Sequence, residues 1–311
     1  RANLTLTEQN ERIYQQNQEI ARQKDNIELS NIELMRKNEL IEKKNDSYQQ
    51  LLKELNEKNT YLTHSIRYAE KIQRSFLPHN SQFKDFFNDH FVIFKPKDVV
   101  SGDFYWLSQV ENQIFLAVVD CTGHGVPGAF MSMIGNTLLN EIINQEKIFD
   151  TNQILEQLHD GVRWSLKQNN SNNTDGMDIA LCRVDIQDAN HPLVQFSGAK
   201  RSLYYVNNGK LGILAGDRKS IGGWQKETQR TFSEQKLYLR SGDRLYFHTD
   251  GYTDAPNSQR KKIGRRKMES IIHENLDISL KEQGALLLYE LYQHKENTEQ
   301  RDDITFIGVE L

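Results

Sequence analysis

Apolar residues recur at every seventh position through the N-terminal part of the chain. The row consists of Leu6, Ile13, Ile20, Ile27, Leu34, Ile41, Tyr48, Leu55, Leu62, Ala69 and Phe76. Four positions after the members of this row stand Asn10, Asn17, Lys24, Asn31, Asn38 and Asn45, followed by Leu52, Asn59, Ile66 and Gln73. This period is typical of a coiled coil, and asparagine in the seam favours an in-register pair of helices at a cost in stability. The pattern predicts a long helix that forms a homodimer; the alternative is a lone helix with a polar surface.

The helix is expected to end at Pro78, because a proline disfavours helical geometry in the residue before it. No glycine precedes Gly102 and no proline precedes Pro78. We therefore predict a coiled-coil helix over residues 1–63, a linker helix over 64–78 and a globular domain over 79–311. Since the chain starts at Arg1 rather than at a methionine, we expect a longer protein, in which an upstream sensor domain could precede this segment.

Beyond Pro78 the pattern changes to short apolar strands separated by turns. Strands are predicted at 91–94, 104–106, 114–120, 177–186, 193–197, 202–206, 211–214, 236–239, 243–248 and 304–311. Helices are predicted after Gly125, across 152–166 and around 280–292. The Asn-Gly turn at 207–210 predicts a hairpin, and a second pair is predicted between 236–239 and 243–248. Many strands with few helices indicate an α+β domain whose sheets are covered by helices.

Composition argues against several classes of protein. The net charge of −4 argues against a general nucleic-acid-binding protein. Cys121 and Cys182 match neither a disulfide nor a metal-binding pattern, which suits a reducing cytoplasm. No apolar run approaches the ~20 residues of a membrane span, and no signal peptide is visible. We expect a cytoplasmic protein without a membrane segment in this fragment.

Acidic residues stand at four junctions between a predicted strand and a loop. They are Asp103, Asp120, Asp250 and the pair Asp302 and Asp303. Six apolar residues lead into Asp120, and burying such a carboxylate unpaired is costly. A metal ion would compensate this cost, whereas the alternative is a carboxylate that only caps its loop. Carboxylates without a Cys or His cluster suit Mg²⁺ or Mn²⁺, and two such ions can generate a hydroxide that attacks a phosphoryl group.

The order of the motifs resembles a known family. Ser101-Gly102-Asp103, Asp120-x-x-Gly123-His124-Gly125, Thr249-Asp250-Gly251 and Asp302-Asp303-Ile304-Thr305 are similar to motifs of the bacterial SpoIIE/RsbU-type serine phosphatases. That group lies within the metal-dependent protein phosphatase (PPM, type 2C) superfamily. The resemblance covers roughly residues 64–311, and 69–78 is similar to the helix that introduces the catalytic domain.

The resemblance implies two packed, mainly antiparallel β-sheets flanked by helices, with two Mn²⁺ or Mg²⁺ ions between them. Asp120 would bridge the ions and the Cys121 carbonyl would add a ligand. Asp250 and Asp302 would hold the second ion, and Asp103 would bind metal or orient metal-bound water. A metal-bound hydroxide would then hydrolyse phosphoserine or phosphothreonine on a partner protein, with a small anti-sigma-factor antagonist as the expected substrate. Asp303 is expected to be a structural neighbour.

The sequence also departs from the family pattern. Lys200 and Arg201 replace the more usual His/Asn-Pro after Gly-Ala, so these two residues and His124 are candidate substrate contacts. His124 is either a general acid or a loop-stabilising residue, and Asp178 is a capping residue or, less favoured, a weak metal ligand. The basic run 260–267 is a solvated loop or a docking site. A catalytically silent coiled-coil scaffold and a small-phosphoester hydrolase are the alternative functions.

Overall fold

The computed structural model describes residues 2–188 and 191–311, and their side chains from Leu6 onward. Contacts within the chain divide it into two units, one of residues up to Ser65 and one of Ile66–Leu311. Each unit is described by itself. Within the described ranges, no helix is long and apolar enough to cross a membrane.

The first unit consists of helix α1, which begins at Ala2 and continues to Phe76 in the second unit. Its aliphatic row is exposed, since Leu6, Ile20 and Ile27 keep about three fifths of their surface accessible (60%, 61% and 61%). The predicted helix and its end before Pro78 are confirmed. An exposed apolar stripe of this regularity is what a partner helix would cover, and the dimer stays a prediction.

The second unit alternates short helices with strands. Its first half contains α2 (Asn80–Phe86), β1 (Asp89–Lys95), β2 (Phe104–Val110), β3 (Gln113–Cys121), α3 (Gly125–Leu139), a π-helical turn (Asn140–Gln145), α4 (Thr151–Ser165), β4 (Gly176–Asp185) and β5 (Leu193–Ala199). Its second half contains β6 (Leu203–Asn207), β7 (Lys210–Leu214), β8 (Ile221–Gly222), β9 (Gln235–Tyr238), β10 (Arg244–His248), α5 (Asp250–Thr253), α6 (Arg265–Glu274), α7 (Leu280–Lys295) and β11 (Ile304–Glu310).

These strands form two antiparallel sheets. One has the order β1-β11-β10-β6-β7, and the other has the order β2-β3-β4-β5-β9 with β8 paired to β4. The α+β prediction and the two sheets flanked by helices are confirmed. The Asn-Gly hairpin is confirmed too: Asn207 pairs with Lys210, and both Asn208 and Gly209 have positive φ, as a tight hairpin turn requires.

Alternation of side chains along the strands separates two cores. In β11, Ile307 and Val309 belong to the larger core between the sheets, whereas Ile304 and Phe306 face a second core under α6 and α7. The same cluster continues to the apolar side of α4, including Leu158, where α4 packs on β4 and β5 of one sheet. A strand exposes successive side chains to opposite faces, so one apolar strand can serve both cores. The helices therefore cover both sheets from outside.

The predictions of local structure were wrong in one strand pairing and incomplete in several short elements. The predicted pair between 236–239 and 243–248 does not form: β9 pairs with β5 in one sheet and β10 lies between β11 and β6 in the other. The turn at Gly242 instead carries the chain from one sheet to the other, and the Gly242 N–H donates to the carbonyl of Leu311. Helices α2, α5 and α6 and the short strand β8 were not predicted, and α6 takes up the end of the basic run.

Candidate metal centre

The carboxylates predicted as metal ligands approach one another at one end of the two sheets. Asp120 is the penultimate residue of β3, Asp250 is the first residue of α5 just after β10, and Asp302 precedes β11. All three line a cleft with a volume of about 840 Å³, together with Cys121. Three separate motifs of the sequence thus contribute to one cleft, because antiparallel strands from both sheets end there.

Close backbone approaches explain the glycines of these motifs. A Cβ on Gly102 would lie 2.3 Å from the carbonyl oxygen of Gly123 and 3.3 Å from that of Cys121. A Cβ on Gly128 would lie 2.4 Å from the same Gly123 oxygen. Gly123 itself has φ of 83°, which glycine adopts at little cost. The loop after β3 therefore packs directly on the Ser101-Gly102-Asp103 turn.

Asp103 lies outside the cleft lining, with only 2% of its surface exposed. Its Oδ2 accepts hydrogen bonds from the hydroxyls of Thr249 at 2.7 Å and Thr305 at 2.9 Å. Burial and the nearby Asp120 raise the pKa of Asp103 well above its usual range. The sequence analysis assigned no role to these two threonines, which hold the Asp103 carboxylate. The sequence signal that could have identified them is their position inside the aspartate motifs, Thr249 before Asp250 and Thr305 after Asp302-Asp303-Ile304.

Asp303 uses both carboxylate oxygens to hold backbone. It accepts the N–H of Lys97 at 2.7 Å and the N–H of Gly102 at 2.7 Å, and it is almost fully buried. Asp302 remains exposed and accepts the N–H of Asp303 at 2.9 Å. The geometry supports a structural role for Asp303 and leaves Asp302 free to face the cleft.

Asp178 and Arg201 complete the cluster. Asp178 lies directly opposite Asp120 on the paired strand β4 and accepts a hydrogen bond from the hydroxyl of Ser220 at 2.7 Å. The Nη2 of Arg201 contacts Asp120, lies 2.9 Å from Asp250 Oδ2 and lies 3.7 Å from Asp178 Oδ2. The expected capping role for Asp178 is not what the structure shows, because the residue lies within β4. Sequence reasoning could not weigh this, since strand register is a tertiary property.

The cluster holds more negative charge than one arginine balances. Burial raises the pKa of Asp120 to about 8, Arg201 opposes this shift, and Asp250 and Asp302 add to it. Burial also disfavours ionisation of Asp250, but the charge and hydrogen bond of Arg201 outweigh it and lower the pKa of Asp250. An uncompensated carboxylate in such surroundings is stabilised by an added cation.

The donor set fits a hard divalent cation. It consists of carboxylates and backbone carbonyls, and oxygen ligands of this kind suit Mg²⁺ or Mn²⁺. As the side chains stand in the described part of the chain, no three His, Cys, Asp or Glu residues are grouped closely enough to hold a metal ion. The guanidinium of Arg201 lies among the carboxylates instead.

His124 lies at the edge of the cleft with 49% of its side chain exposed. Its Nδ1 is 2.7 Å from Asp98 Oδ2, and its Nε2 is 2.9 Å from the Nζ of Lys97. A carboxylate can only accept and an ammonium can only donate. In this geometry Nδ1 donates a hydrogen bond to Asp98 and Nε2 accepts one from Lys97, which favours the loop-stabilising interpretation of His124 over the general acid.

Basic side chains surround the carboxylates. Besides Arg201, the lining includes Lys97, Lys200, Arg218, Lys219 and Arg301, and Trp224 is there with 73% of its surface exposed. Lys200 Nζ lies 3.8 Å from Asp178 Oδ1. Arg218, Lys219 and Arg301 were not singled out from the sequence, because one or two cations in a loop carry no distinctive local signal.

The basic run 260–267 lies outside the lining of this cleft. Lys262 contacts Asp254, Arg265 Nε lies 2.6 Å from Glu269 Oε1, and Lys267 Nζ lies 3.1 Å from Glu290 Oε2. Such exposed pairs are ordinary surface ion pairs. They argue against the docking interpretation of this run.

Gln73 connects the end of α1 to the Ser101-Gly102-Asp103 turn. It is 3% exposed; its Nε2 donates to the Ser101 carbonyl at 2.6 Å and to the hydroxyl of Ser132 at 2.9 Å. Its Oε1 accepts the Ser101 N–H at 3.0 Å. Ser132 belongs to α3, so one buried amide ties two helices to the loop beside Asp103. The sequence signal was a polar residue in the seam of the heptad pattern.

Comparisons with known proteins agree with this geometry. The family described as Stage II sporulation protein E (SpoIIE) matches residues 111–311. The SiaA-PP2C domain of Pseudomonas aeruginosa is 30% identical, with a TM-score of 0.72 over 81% of this chain and 98% of that chain.

Two curated proteins are similar at lower identity. Phosphoserine phosphatase RsbP of Bacillus subtilis (strain 168) is 24% identical over 79% of this chain, and Protein IcfG of Synechocystis sp. is 25% identical over 78%. This chain spans 57% of RsbP and 40% of IcfG. Because the family model matches residues 111–311 and the SiaA-PP2C domain is similar in sequence and structure, this chain belongs to the SpoIIE family and has a PP2C-like fold.

Proposed function

We propose that this chain is a divalent-metal-dependent phosphatase that removes phosphate from serine or threonine residues of a partner protein. The observation that carries the proposal is the convergence of Asp120, Asp250 and Asp302 on one cleft with the buried Asp103 beside it. The relative RsbP is named a phosphoserine phosphatase. A small anti-sigma-factor antagonist is the proposed substrate class, and its support is family likeness. Residues 79–311 would be the catalytic domain, with 64–78 as the linker helix and 1–63 as the coiled coil.

Each group in the cleft would have a distinct task. Two Mg²⁺ or Mn²⁺ ions, when bound, supply an activated water nucleophile and positive charge for phosphoryl oxygens. Asp120 would bridge these ions, with the Cys121 carbonyl beside it, and Asp250 and Asp302 would complete the second position. Asp103, held by Thr249 and Thr305, would orient the groups around Asp120. Lys200 and Arg201 would direct positive charge at the phosphoryl group of the substrate.

A catalytically silent scaffold is the second candidate, and Arg201 favours it, since its guanidinium neutralises carboxylates that a metal would need. The deciding experiment incubates the purified chain with a phosphoserine protein or with p-nitrophenyl phosphate, in Mn²⁺, in Mg²⁺ and in EDTA. We expect metal-dependent phosphate release that EDTA abolishes, with the protein substrate preferred. Absence of release from both substrates would favour the scaffold, and preference for the small ester would favour a phosphomonoesterase.

We propose that the cationic edge of the cleft, formed by Arg218 and Lys219, docks the phosphoprotein. Replacing Arg218 and Lys219 with alanine is expected to raise KM for the protein substrate about fivefold or more, because complementary charge attracts an acidic partner. KM for p-nitrophenyl phosphate should change little. The matched control replaces Lys261 and Arg266, which are exposed and lie outside the cleft. Equal changes in KM for both substrates would contradict docking at this edge.

We also propose that the coiled coil forms a parallel homodimer and regulates the domain. The support is the exposed aliphatic row of α1 and the hydrogen bonds of Gln73, which tie the end of the same helix to the loop beside Asp103. A seam rich in asparagine pairs helices without holding them tightly. A change in its packing could therefore shift the Gln73 contacts and bias the domain between two arrangements.

A cysteine at the exposed seam position Ile27 tests the dimer. Ile27→Cys is expected to form a symmetric disulfide-linked dimer under mild oxidation, because a parallel in-register pair brings equivalent residues together. The native Cys121 and Cys182 are buried and should not react. The wild-type chain is the control: it should not crosslink, and a crosslink in it would show that the native cysteines react.

Stiffening the seam tests regulation. Replacing Asn10, Asn17, Asn31 and Asn38 with valine is expected to tighten the dimer and to change the specific activity of the phosphatase. If the dimer becomes more stable and the activity stays the same, the coil serves only for dimerisation.

A further inference from the structure

The backbone of Arg201 is held tightly at the turn between β5 and β6. A Cβ on Gly198 or on Gly216 would lie 2.2 Å from the carbonyl oxygen of Arg201, so only glycine fits at either position. Lys200 has φ of 54°, and its N–H donates to the Asp217 carbonyl at 2.6 Å. The chain thus accepts a left-handed residue and two close approaches here. The consequence is a fixed Cα from which the Arg201 side chain extends into the cleft.

The side chain of Arg201 is oriented into the acidic cluster. It is 13% exposed, and Nη2 carries its contacts to Asp120, Asp250 and Asp178. Its Nε is buried and has no hydrogen-bond partner in the part of the chain that the structure describes. A buried donor without a partner is unfavourable. The position of this side chain is therefore explained by the charge of the carboxylates and not by a saturated hydrogen-bond network.

A guanidinium is a permanent cation. It uses the same carboxylate oxygens that a divalent ion would need, and it would repel such an ion at that distance. Arg201 and a metal ion therefore cannot both occupy the space between Asp120 and Asp250. Removal of the guanidinium would leave a free acidic site, and removal of the metal would leave carboxylates that need the guanidinium.

We propose that Arg201 is an internal counter-cation of the metal centre, which stabilises the metal-free domain and competes with Mn²⁺ or Mg²⁺ for Asp120 and Asp250. Because of this competition, the metal ion binds only above a threshold concentration, below which Arg201 occupies the two carboxylates. The inference rests on the proposed function for the identity of the metal site, but it concerns binding and not turnover. A chain without phosphatase activity can still show the competition.

Mn²⁺ binding measured by isothermal titration calorimetry tests the proposal on the full chain. Arg201→Met keeps the length of the side chain and removes its charge, and we expect it to bind Mn²⁺ at least tenfold more tightly than the wild type. Arg201→Lys keeps the charge and should restore much of the wild-type affinity. The matched control is Arg244→Met: Arg244 is also 13% exposed and lies 2.9 Å from Glu310, on the strand that precedes Asp250. Its Mn²⁺ affinity should equal that of the wild type.

Thermal unfolding adds a second measurement. In EDTA, Arg201→Met should have a lower Tm than the wild type, because the carboxylates lose their counter-cation. In Mn²⁺ its Tm should rise by more than that of the wild type, since at one ligand concentration a tighter-binding ligand stabilises the folded state more, with the logarithm of the ratio of ligand concentration to Kd. Wild-type or weaker Mn²⁺ affinity in Arg201→Met would overturn the proposal. If this variant does not fold by circular dichroism, Arg201→Gln, which keeps hydrogen bonding without charge, decides by the same titration.

Discussion

Replacing Asp120 with asparagine is expected to reduce metal-dependent phosphate release by a factor on the order of a thousand or more, with the fold retained. The amide has the same shape as the carboxylate but no charge to bridge two cations. Asp120 lies at the end of a buried strand, and its burial, to which the neighbouring carboxylates add, already raises its pKa to about 8. Loss of its charge would remove the central ligand. Initial rates at saturating Mn²⁺, with circular dichroism of the same preparation, measure the effect.

Asp185→Asn is the matched control, because Asp185 closes the far end of β4, the strand that pairs with β3. Its activity should stay within about twofold of the wild type, since surface changes away from a site have small effects. Full metal-dependent turnover in Asp120→Asn would show that the two-metal assignment is wrong.

Asp250 and Asp302 are expected to act on the same ion. Either single alanine variant should lose activity by a factor on the order of a hundred or more, and the double variant should be little worse than the weaker single one. Once one ligand is lost, the site no longer holds its ion, and removal of the second ligand costs little more. The comparison uses kcat/KM for both single variants and the double variant at several Mn²⁺ concentrations.

Asp254→Ala is the control for this pair. Asp254 closes the same short helix as Asp250 and pairs with Lys262 at the surface. Its kcat/KM should be close to that of the wild type. Losses in Asp250→Ala and Asp302→Ala that multiply in the double variant would mean that the two residues act independently.

Secondary structure followed from the sequence wherever a periodic signal was long or a turn had specific chemistry. The heptads predicted α1, and the Asn-Gly turn predicted the hairpin of β6 and β7. The same local reasoning failed at Gly242, because a glycine turn does not specify whether the next strand pairs with the previous one or enters another sheet. That choice depends on which apolar faces are already covered. The prediction of β9 and β10 as a pair was wrong for this reason.

The candidate site, too, was predictable from the sequence only in part. The sequence predicted Asp103, Asp120, Asp250 and Asp302 as site residues, because each stands at the junction of a strand and a loop within a motif. It did not identify the cross-strand position of Asp178, which depends on the register between β3 and β4.

By itself, therefore, the sequence determined the helix, the strands, the α+β class and the acidic character of the centre. These properties depend on residue type and spacing over a few turns or strands. Only the tertiary structure decided that Arg201 lies among the carboxylates, that Asp303 holds the backbone of Lys97 and Gly102, and that the cations around the cleft come from distant loops. Such contacts join positions far apart along the chain. Their energies depend on distance and burial, which no local pattern of residues records.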